Sequence, residues 1–255
     1  MAYLNIKDFK LGMDRRSSRI TGQPGSLWSL VNGHITRSGE IERMMAFVPT
    51  FALPANTFGL HAKATSLWVF GSAAAPTMPA GVYYQRLQHE GGSAMEAILD
   101  TENFAGKIYA IARFANGDVR HFYDGTRVAE WDPLPKATRC LTHRQKVYSV
   151  AGNVVYFSAL DDPAHVTSGI GDGFLKIADQ NSLGESLTGL GVYQGNLAFF
   201  SARSAQLWNI DPDDTKNALL QIIGNSGTPF PKSIVEYGSR DTYYLDRTGV
   251  RSLRI

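Results

Sequence analysis

Two acidic stretches hold the residues of this sequence with the clearest potential for chemistry. LDDP (160–163) places Asp161 beside Asp162, and IDPDDT (210–215) contains Asp211, Asp213 and Asp214. Paired carboxylates could serve glycoside hydrolysis or a calcium site. However, the calcium-loop spacing with a distal Glu is missing, and Asp-Pro and Asp-Asp are common turn residues. We interpret both stretches as loops between strands and expect no metal ligand in them.

The histidines and the single cysteine do not form a ligand set in the sequence. Cys140 and His143 have the spacing of half a zinc site, but no second pair accompanies them. One cysteine excludes an internal disulfide and fits a chain that folds in a reducing cytosol. Because free cysteine is usually buried, we expect an inert core thiol. The six histidines occur singly, at His34, His61, His89, His121, His143 and His165.

Two glycine-rich stretches resemble phosphate loops only superficially. GIGDGF (169–174) and GLGVYQG (189–195) do not lie between a strand and a helix with a following Lys-Ser/Thr, so we predict turns. No Gly-x-Ser-x-Gly nucleophile motif occurs. The sequence therefore predicts no catalytic residue, no cofactor and no enzymatic activity.

Five apolar, aromatic-rich runs indicate the elements that position these residues. Four of them continue through a short turn into another strand-like run, with turns at 115–117, 151–153, 202–204 and 247–249. Glycine and asparagine tolerate the positive φ of tight hairpins, and β-branched and aromatic residues favour strands. The runs are SLWVFG (66–71), KIYAIARF (107–114), KVYSV (146–150), NLAFFS (196–201) and DTYYLD (241–246).

The spacing of these runs predicts the architecture. They recur about every 40 to 50 residues, a period typical of β-propellers and other stacked-sheet arrays. One small sheet cannot bury both of its faces alone, so similar sheets must pack against it. The alternative is an irregular β-sandwich with evenly spaced hairpins. Short helices are expected only at SAMEAILD (93–100) and at 216–223.

Residues 1–50 do not follow the repeat and are interpreted as a separate arm. Ile35, a turn at Ser38-Gly39 and a strand from Ile41 predict a small hairpin within it. The arm carries seven Lys and Arg against four acids, which indicates either an acidic or phosphate partner or a solvated segment. We expect its contacts at Lys7, Lys10, Arg15, Arg16 and Arg19. Residues 51–255 form the predicted propeller-like body.

No segment of the sequence predicts insertion into a membrane. The beginning, MAYLNIKDFK, lacks the apolar run of a signal peptide. The longest mostly apolar run, at 44–55, is interrupted by Pro49 and Pro54 and is too short to span a bilayer. We therefore expect a soluble protein without integral membrane association.

Longer motifs resemble those of one known family. KDFKLGMDRRSSRITGQPGSLWSLVNGHITRSGEIERMMAF contains an F-x-x-G-x-D-x-R start and a G-E-I-E-R hairpin. VVYFSALDDPAHV (154–166), GDGFLKIAD (171–179), LTGLGVYQGNLAFFSARSAQLWNID (187–211), IGNSGTPFPKSIVEYG (223–238) and YYLDRTGVRSL (243–253) follow in the family's order. The sequence thus resembles phage tail nozzle proteins, also called tail tubular protein B or packaged-DNA stabilisation proteins.

The resemblance implies a structural function. Subunits of this family form six-fold rings in the virion, below the portal and adaptor rings and beside tail fibres or spikes. The ring extends the conduit for double-stranded DNA and holds the genome until ejection. Relatives usually continue beyond this length, with further strands that close the propeller. The resemblance therefore implies an incomplete propeller here, in either a shortened relative or a portion of a longer polypeptide. Synthesis would take place in the host cytoplasm.

A DNA conduit should not grip DNA, because each neutralised phosphate adds affinity that must be broken during passage. We therefore expect at least one of the two acidic loops to face the channel or its rim; the alternative is that both loops face solvent on the outside.

Two other functions remain open. Four Trp and eleven Tyr could stack on sugars in a carbohydrate- or receptor-binding propeller. A propeller hydrolase would instead depend on Asp161 and Asp162.

Overall fold

The computed structural model describes residues 11, 23, 26, 27, 29–43, 49–74, 76–131, 136–177, 184–238 and 240–254. The chain divides into two compact units, Met1–Ala52 and Leu53–Ile255. We call the second unit the body. The predicted contact residues of the arm lie outside the described residues: Lys7, Lys10, Arg15, Arg16 and Arg19.

The first unit contains the predicted hairpin. Strand β1 (Gly33–Ile35) pairs with the antiparallel strand β2 (Ile41–Arg43), with Ile35 opposite Ile41. The Thr36 N–H donates to the Glu40 carbonyl, and Gly39 has a φ of 89°. Glycine adopts this backbone conformation without a steric penalty, which explains its place in the turn.

The described residues of the body form five small sheets. Sheet one contains β3 (Thr57–Lys63), β4 (Ser66–Gly71) and β5 (Val82–Arg86). Sheet two contains β6 (Met95–Phe104), β7 (Lys107–Phe114), β8 (Val119–Tyr123) and β9 (Thr126–Arg127). Sheet three contains β10 (Arg139–His143), β11 (Lys146–Ala151), β12 (Val154–Phe157) and β13 (Gly173–Lys176). Sheet four contains β14 (Leu187–Tyr193), β15 (Asn196–Ser201), β16 (Ser204–Asn209) and β17 (Ala218–Gly224). Sheet five contains β18 (Val235–Tyr237), β19 (Asp241–Leu245) and β20 (Val250–Ser252).

Within each sheet, strands pair with their neighbours in chain order. The pairs are antiparallel except that β5 runs parallel to β4. The five apolar runs of the sequence become the second strands of the five sheets, so each run marks one sheet. Three short 3-10 helices complete the described body, at Ala129–Trp131, Asp214–Lys216 and Pro231–Ser233. None of the helices in the described part of the chain has the length and apolarity needed to cross a bilayer.

The prediction of short helices at 93–100 and 216–223 is wrong. The first segment belongs to β6, which pairs along its length with β7, from Met95 opposite Phe114 to Phe104 opposite Lys107. The second belongs mainly to β17, which pairs with β16. Alanine, methionine, glutamate and leucine favour helices only weakly, so pairing and burial in a sheet override this preference.

The sheets pack in series, each with one face against the next. Alternate side chains of a second strand point in opposite directions. Leu197 and Phe199 of β15 therefore pack toward sheet three, whereas Ala198 and Phe200 pack toward sheet five. Among the described residues, four apolar clusters each join two consecutive sheets. The body is thus all-β and propeller-like, and a sandwich of two facing sheets does not describe it.

The first strands of the sheets contact one another in succession, from β3 through β6, β10 and β14 to β18. Glycine permits this close approach. A side-chain carbon on Gly59 would lie 2.7 Å from atoms of Ile98 in the next sheet, and one on Gly191 would lie 3.0 Å from Ile234. The prediction that GLGVYQG forms only a turn is therefore partly wrong. Its first residues belong to β14, and the turn comes at Gln194 and Gly195.

Candidate functional site: a central cavity and an acidic rim

The first strands of all five sheets surround a cavity of about 690 Å³. Its walls are Phe58–Leu60 of β3, 98–102 of β6, 139–142 of β10, Leu190 of β14, and residues of the 231–236 segment. Ionisable groups enter it from three sheets. The cavity is therefore lined by both apolar strand residues and a small set of charged side chains.

Three carboxylates share this cavity: Asp100 and Glu102 on β6, and Glu236 on β18. Burial, together with the nearby charges of Asp100 and Glu236, raises the pKa of Glu102 to about 7. Burial also raises the pKa of Asp100, although the Cys140 N–H donates to its Oδ2 at 3.0 Å. Burial likewise raises the pKa of Glu236, whose Oε1 accepts from the Val192 N–H. At neutral pH the cavity therefore retains a proton on Glu102 in part of the molecules.

Two cations share the cavity and act on one of these acids, Asp100. Arg139 and Lys232 line the cavity, and their charges oppose the upward shift of the Asp100 pKa. Arg139 is fixed by its Nη1, which donates to the Leu99 carbonyl at 2.9 Å and so connects sheet three to sheet two. The arrangement connects neighbouring sheets through charge as well as through apolar packing.

Cys140 is the buried thiol that its sequence context predicted. Its side chain is 5% exposed, and burial raises its pKa well above the ordinary value, with Asp100 and Glu102 adding to the shift. A thiol held in the protonated form is a poor nucleophile. In the described ranges, no three His, Cys, Asp or Glu side chains are grouped to hold a metal ion.

The structure brings the two acidic loops together on one rim of the body. The loop after β12 contains Asp161 and Asp162, and the loop after β16 contains Asp211, Asp213 and Asp214. A side-chain carbon on Gly171 in the first loop would lie 3.7 Å from the Pro212 carbonyl oxygen in the second. We call this surface the acidic rim.

Lys146 lies between these loops. Its Nζ donates to the Gly171 carbonyl at 2.5 Å and lies 5.0 Å from the centre of the Phe157 ring. Burial lowers the pKa of Lys146, while Asp214 and Asp172 oppose that shift. Lys146 thus anchors the first loop through the Gly171 carbonyl and interacts with the second loop through the charge of Asp214.

Several rim carboxylates have turn-forming partners, as the sequence predicted for such loops. Asp213 accepts from the Thr215 N–H and caps the 3-10 helix at Asp214–Lys216. Asp211 Oδ1 accepts from the Asp213 N–H at 3.0 Å. These bonds use part of each carboxylate, and Asp213 and Asp214 remain exposed to solvent.

Asp162 belongs to a small acid–histidine cluster. Its Oδ2 lies 2.6 Å from His165 Nδ1, and Glu130 Oε1 lies 3.7 Å from His165 Nε2. Glu130 also accepts hydrogen bonds from the Ser168 hydroxyl and the Val166 N–H, which are the main causes that lower its pKa to about 2. The hydrogen bond to Asp162, followed by the charges of Asp162 and Glu130, raises the pKa of His165.

The His165 cluster gives a testable pH dependence. Replacing Asp162 with asparagine should lower the His165 pKa, because the main group that favours the imidazolium is removed. NMR titration of the imidazole would measure it. Because the folded-state pKa of His165 is raised, the protonated imidazole stabilises the folded protein at pH values below the ordinary histidine pKa of 6.5. This contribution to stability is lost as the pH rises through the raised His165 pKa.

Asp161→Asn is the matched control for that titration. Among the described residues, the Asp161 side chain makes no hydrogen bond or ion pair, and its backbone has a φ of 58° that asparagine also tolerates. The control should leave the His165 pKa close to that of the unmodified protein. Equal pKa values in the two variants would contradict the assignment of the shift to Asp162.

Sequence reasoning missed the ionisable residues of the cavity: Asp100, Glu102, Arg139, Lys232 and Glu236. One local signal was available for the first two. Asp100 and Glu102 are two positions apart, and such residues lie on the same face of a strand. Because we expected a helix at 93–100, we did not place these two acids on one face. No local signal connects β6 with β18, since only packing of the sheets brings them to one cavity.

The fold and this site define an all-β protein with a propeller-like body, a charged central cavity and an acidic rim. No family model matches the sequence, and no curated protein matches it. Among solved structures, the chain is similar to one described as "Crystal structure of BBS1N in complex with ARL6DN, soaked with mercury". The identity is 9%, the TM-score is 0.37, and the match covers 83% of this chain and 81% of that chain. A likeness at this level carries no argument about function.

Proposed function

We propose that this chain is a non-enzymatic structural subunit of a phage tail nozzle ring. In this proposal six copies form a ring in the virion, below the portal and adaptor, and extend the conduit for the DNA. The sequence motifs that resemble the nozzle family support the assignment. The structural observation that carries it is an apolar outer edge on sheet four, which suits association with another protein.

Strand β17 forms this edge. It is the last strand of sheet four in the described chain, so one side of its backbone has no strand partner there. Leu220 and Ile222 are 53% and 46% exposed. A register shift at Leu207 and Trp208 leaves Leu220 without a paired residue on β16. Long, apolar edge strands are sites of association, and exposed apolar patches commonly mark protein interfaces.

The acidic rim suits the passage of DNA. Carboxylates repel the phosphate backbone, and at physiological salt this repulsion is screened beyond about 8 Å. A rim that carries Asp161, Asp162, Asp211, Asp213 and Asp214 would keep DNA mobile if it faced the channel. We therefore propose that this rim lies at the channel or its mouth. A structure of the ring with these loops on its outer surface would contradict that placement.

The ring proposal is tested on purified phage particles. We expect the protein to be present in virions, and a rotational average of the tail by electron microscopy to show a six-fold ring that contains it. A protein that accumulates in infected cells but is absent from purified virions would rule the proposal out.

Substitutions on β17 test the interface itself. Leu220→Lys together with Ile222→Lys should lower incorporation into virions by about tenfold, which corresponds to about 1.4 kcal/mol of lost binding. Both side chains are about half exposed at the outer edge of the sheet, so the melting temperature of the isolated chain should change much less than incorporation. Quantitative immunoblotting of purified particles measures incorporation.

Val250→Lys is the matched control, since Val250 is 75% exposed on another sheet. This variant should be incorporated normally. An equal loss of incorporation in both variants would show that added surface charge, rather than loss of the β17 contact, impairs assembly.

A further inference from the structure

A second pocket lies at the edge of sheet five, apart from the central cavity. It encloses about 640 Å³ between the β14–β15 turn and sheet five. Its lining combines two aromatic rings, two guanidinium groups, one carboxylate and one amide: Tyr237, Tyr243, Arg240, Arg254, Asp241 and Gln194. None of these residues belongs to the central cavity or to the acidic loops.

The two tyrosines form an exposed edge-to-face pair of rings, which we call the tyrosine platform because each ring offers one open face for stacking. Tyr237 and Tyr243 lie on the paired strands β18 and β19, with ring centroids 6.2 Å apart and planes at 79°. They are 68% and 41% exposed, so neither belongs to the core. Exposed tyrosine rings offer an apolar face with a polar hydroxyl at the edge, which suits stacking of a flat, partly polar ligand.

The two arginines add unpaired positive charge. Arg240 and Arg254 are exposed, and neither forms an ion pair with another residue in the part of the chain that the structure describes. Other surface arginines are paired there, for example Arg251 with Asp246 and Arg113 with Glu96. The planar guanidinium fork binds a carboxylate through two parallel hydrogen bonds.

The remaining polar groups suit hydroxyls. Asp241 is 8% exposed, and its carboxylate already accepts hydrogen bonds from the Thr242 N–H and the Ser252 hydroxyl. An ionised carboxylate has about four acceptor positions, so capacity remains for ligand hydroxyls. Gln194 Nε2 donates to the Tyr193 hydroxyl, which leaves the amide oxygen as a further acceptor. The Asp241 carboxylate accepts hydrogen bonds from hydroxyl donors, and it repels a multiply charged phosphate chain more strongly than a ligand with a single carboxylate.

We propose that this pocket binds an acidic saccharide. A sugar ring stacks on the tyrosine platform, its carboxylate pairs with Arg240 and Arg254, and its hydroxyls donate to Asp241 and Gln194. The proposal is independent of the ring proposal, because the pocket is formed by the β14–β15 turn and sheet five of a single chain and does not depend on assembly.

Titration calorimetry of the full chain tests this site with two probes, a galacturonic acid trisaccharide and its neutral galactose counterpart. We expect the acidic trisaccharide to bind with a Kd of about 1 mM or tighter, and the neutral one to bind about tenfold more weakly. Arg240→Gln combined with Arg254→Gln should remove this preference by weakening only the acidic probe. Tyr237→Ala should weaken both probes.

Arg247→Gln is the matched control, because Arg247 is an exposed arginine in the turn after β19, at the end of that strand opposite to Asp241. It should leave the affinity for the acidic probe unchanged. Absence of binding by the unmodified chain would overturn the proposal, as would equal affinity for the two probes. Tighter binding of a thymidine oligonucleotide that competes for the same residues would also overturn it.

Discussion

Replacing Gly227 with alanine is expected to lower the free energy of unfolding by roughly 3 kcal/mol, at the upper end of typical overpacking effects. A side-chain carbon at this position would lie closer than 3.0 Å to backbone atoms of Ser201, Arg203 and Ser204. Side-chain rotation cannot relieve a contact with backbone atoms, so the strands themselves must separate. Urea denaturation of the two proteins would measure the difference.

The Gly227 segment also connects two sheets. Thr228 donates its N–H to the Ser201 carbonyl at 2.8 Å and its hydroxyl to the Leu245 carbonyl at 2.6 Å. Displacement of the segment would therefore weaken the contact of sheet four with sheet five, which adds to the steric cost.

Gly224→Ala provides the control for that effect. A side-chain carbon on Gly224 would meet no atom within 4 Å, and its φ is not in the left-handed region. The free energy of unfolding should therefore change by no more than about 0.5 kcal/mol. If the two substitutions had equal effects, close packing at Gly227 would not be the cause.

The second large effect concerns Glu102 in the central cavity. Its pKa rises from the ordinary value of 4.5 to about 7 in the folded protein. Between these values the unfolded chain releases a proton that the folded chain keeps, so stability falls as pH rises from about 4.5 to about 7. The loss amounts to about 3 kcal/mol if each pKa unit contributes about 1.4 kcal/mol.

Glu102→Gln should remove most of this loss, since glutamine retains the shape of the side chain without its charge. Denaturation at a series of pH values would show a flatter stability profile in the variant, with the largest gain above pH 7. The raised pKa values of Asp100 and Glu236 also lower stability as the pH rises. The Glu102→Gln variant should therefore keep a smaller dependence of stability on pH.

Glu96→Gln serves as the comparison on the same strand. Glu96 is exposed and its Oε2 lies 2.7 Å from Arg113 Nε, away from the cavity. Its pH profile should remain parallel to that of the unmodified protein, because exposed ion pairs contribute little. A profile as flat as that of Glu102→Gln would mean that the slope does not originate in the cavity.

Hairpins that depend on local chemistry could be predicted from the sequence. The runs at 107–114 and 196–201 form second strands, and the turns that follow them lie where glycine, asparagine or serine interrupts the apolar pattern. The hairpin around Gly39 follows the same rule. Strand alternation and positive φ depend on only a few neighbouring residues, so the sequence reports them directly.

First strands were harder to predict. Met95–Phe104 is rich in residues that helices accept, and only its pairing with β7 makes it a strand. The glycines of β14, Gly189 and Gly191, have the local preference of turn residues. They lie in a strand because the side chain of Ile234 packs against them, where a larger residue would clash. Such assignments depend on partners that are distant in the chain, and local propensity is too weak to replace those partners.

The sequence by itself determined that the chain is all-β, built from repeated hairpins, with acidic residues in the loops between strands. Only the tertiary structure decided which charges meet. Asp100, Glu102 and Glu236 share one cavity, and the loops of Asp162 and Asp213 share one rim. The physical reason is that the local sequence of each repeated hairpin determines how one sheet folds. The packing of one sheet against the next then determines which strand ends and which inner faces lie close together. Electrostatic interactions and pKa shifts depend on those distances, which the spacing of residues along the chain does not contain.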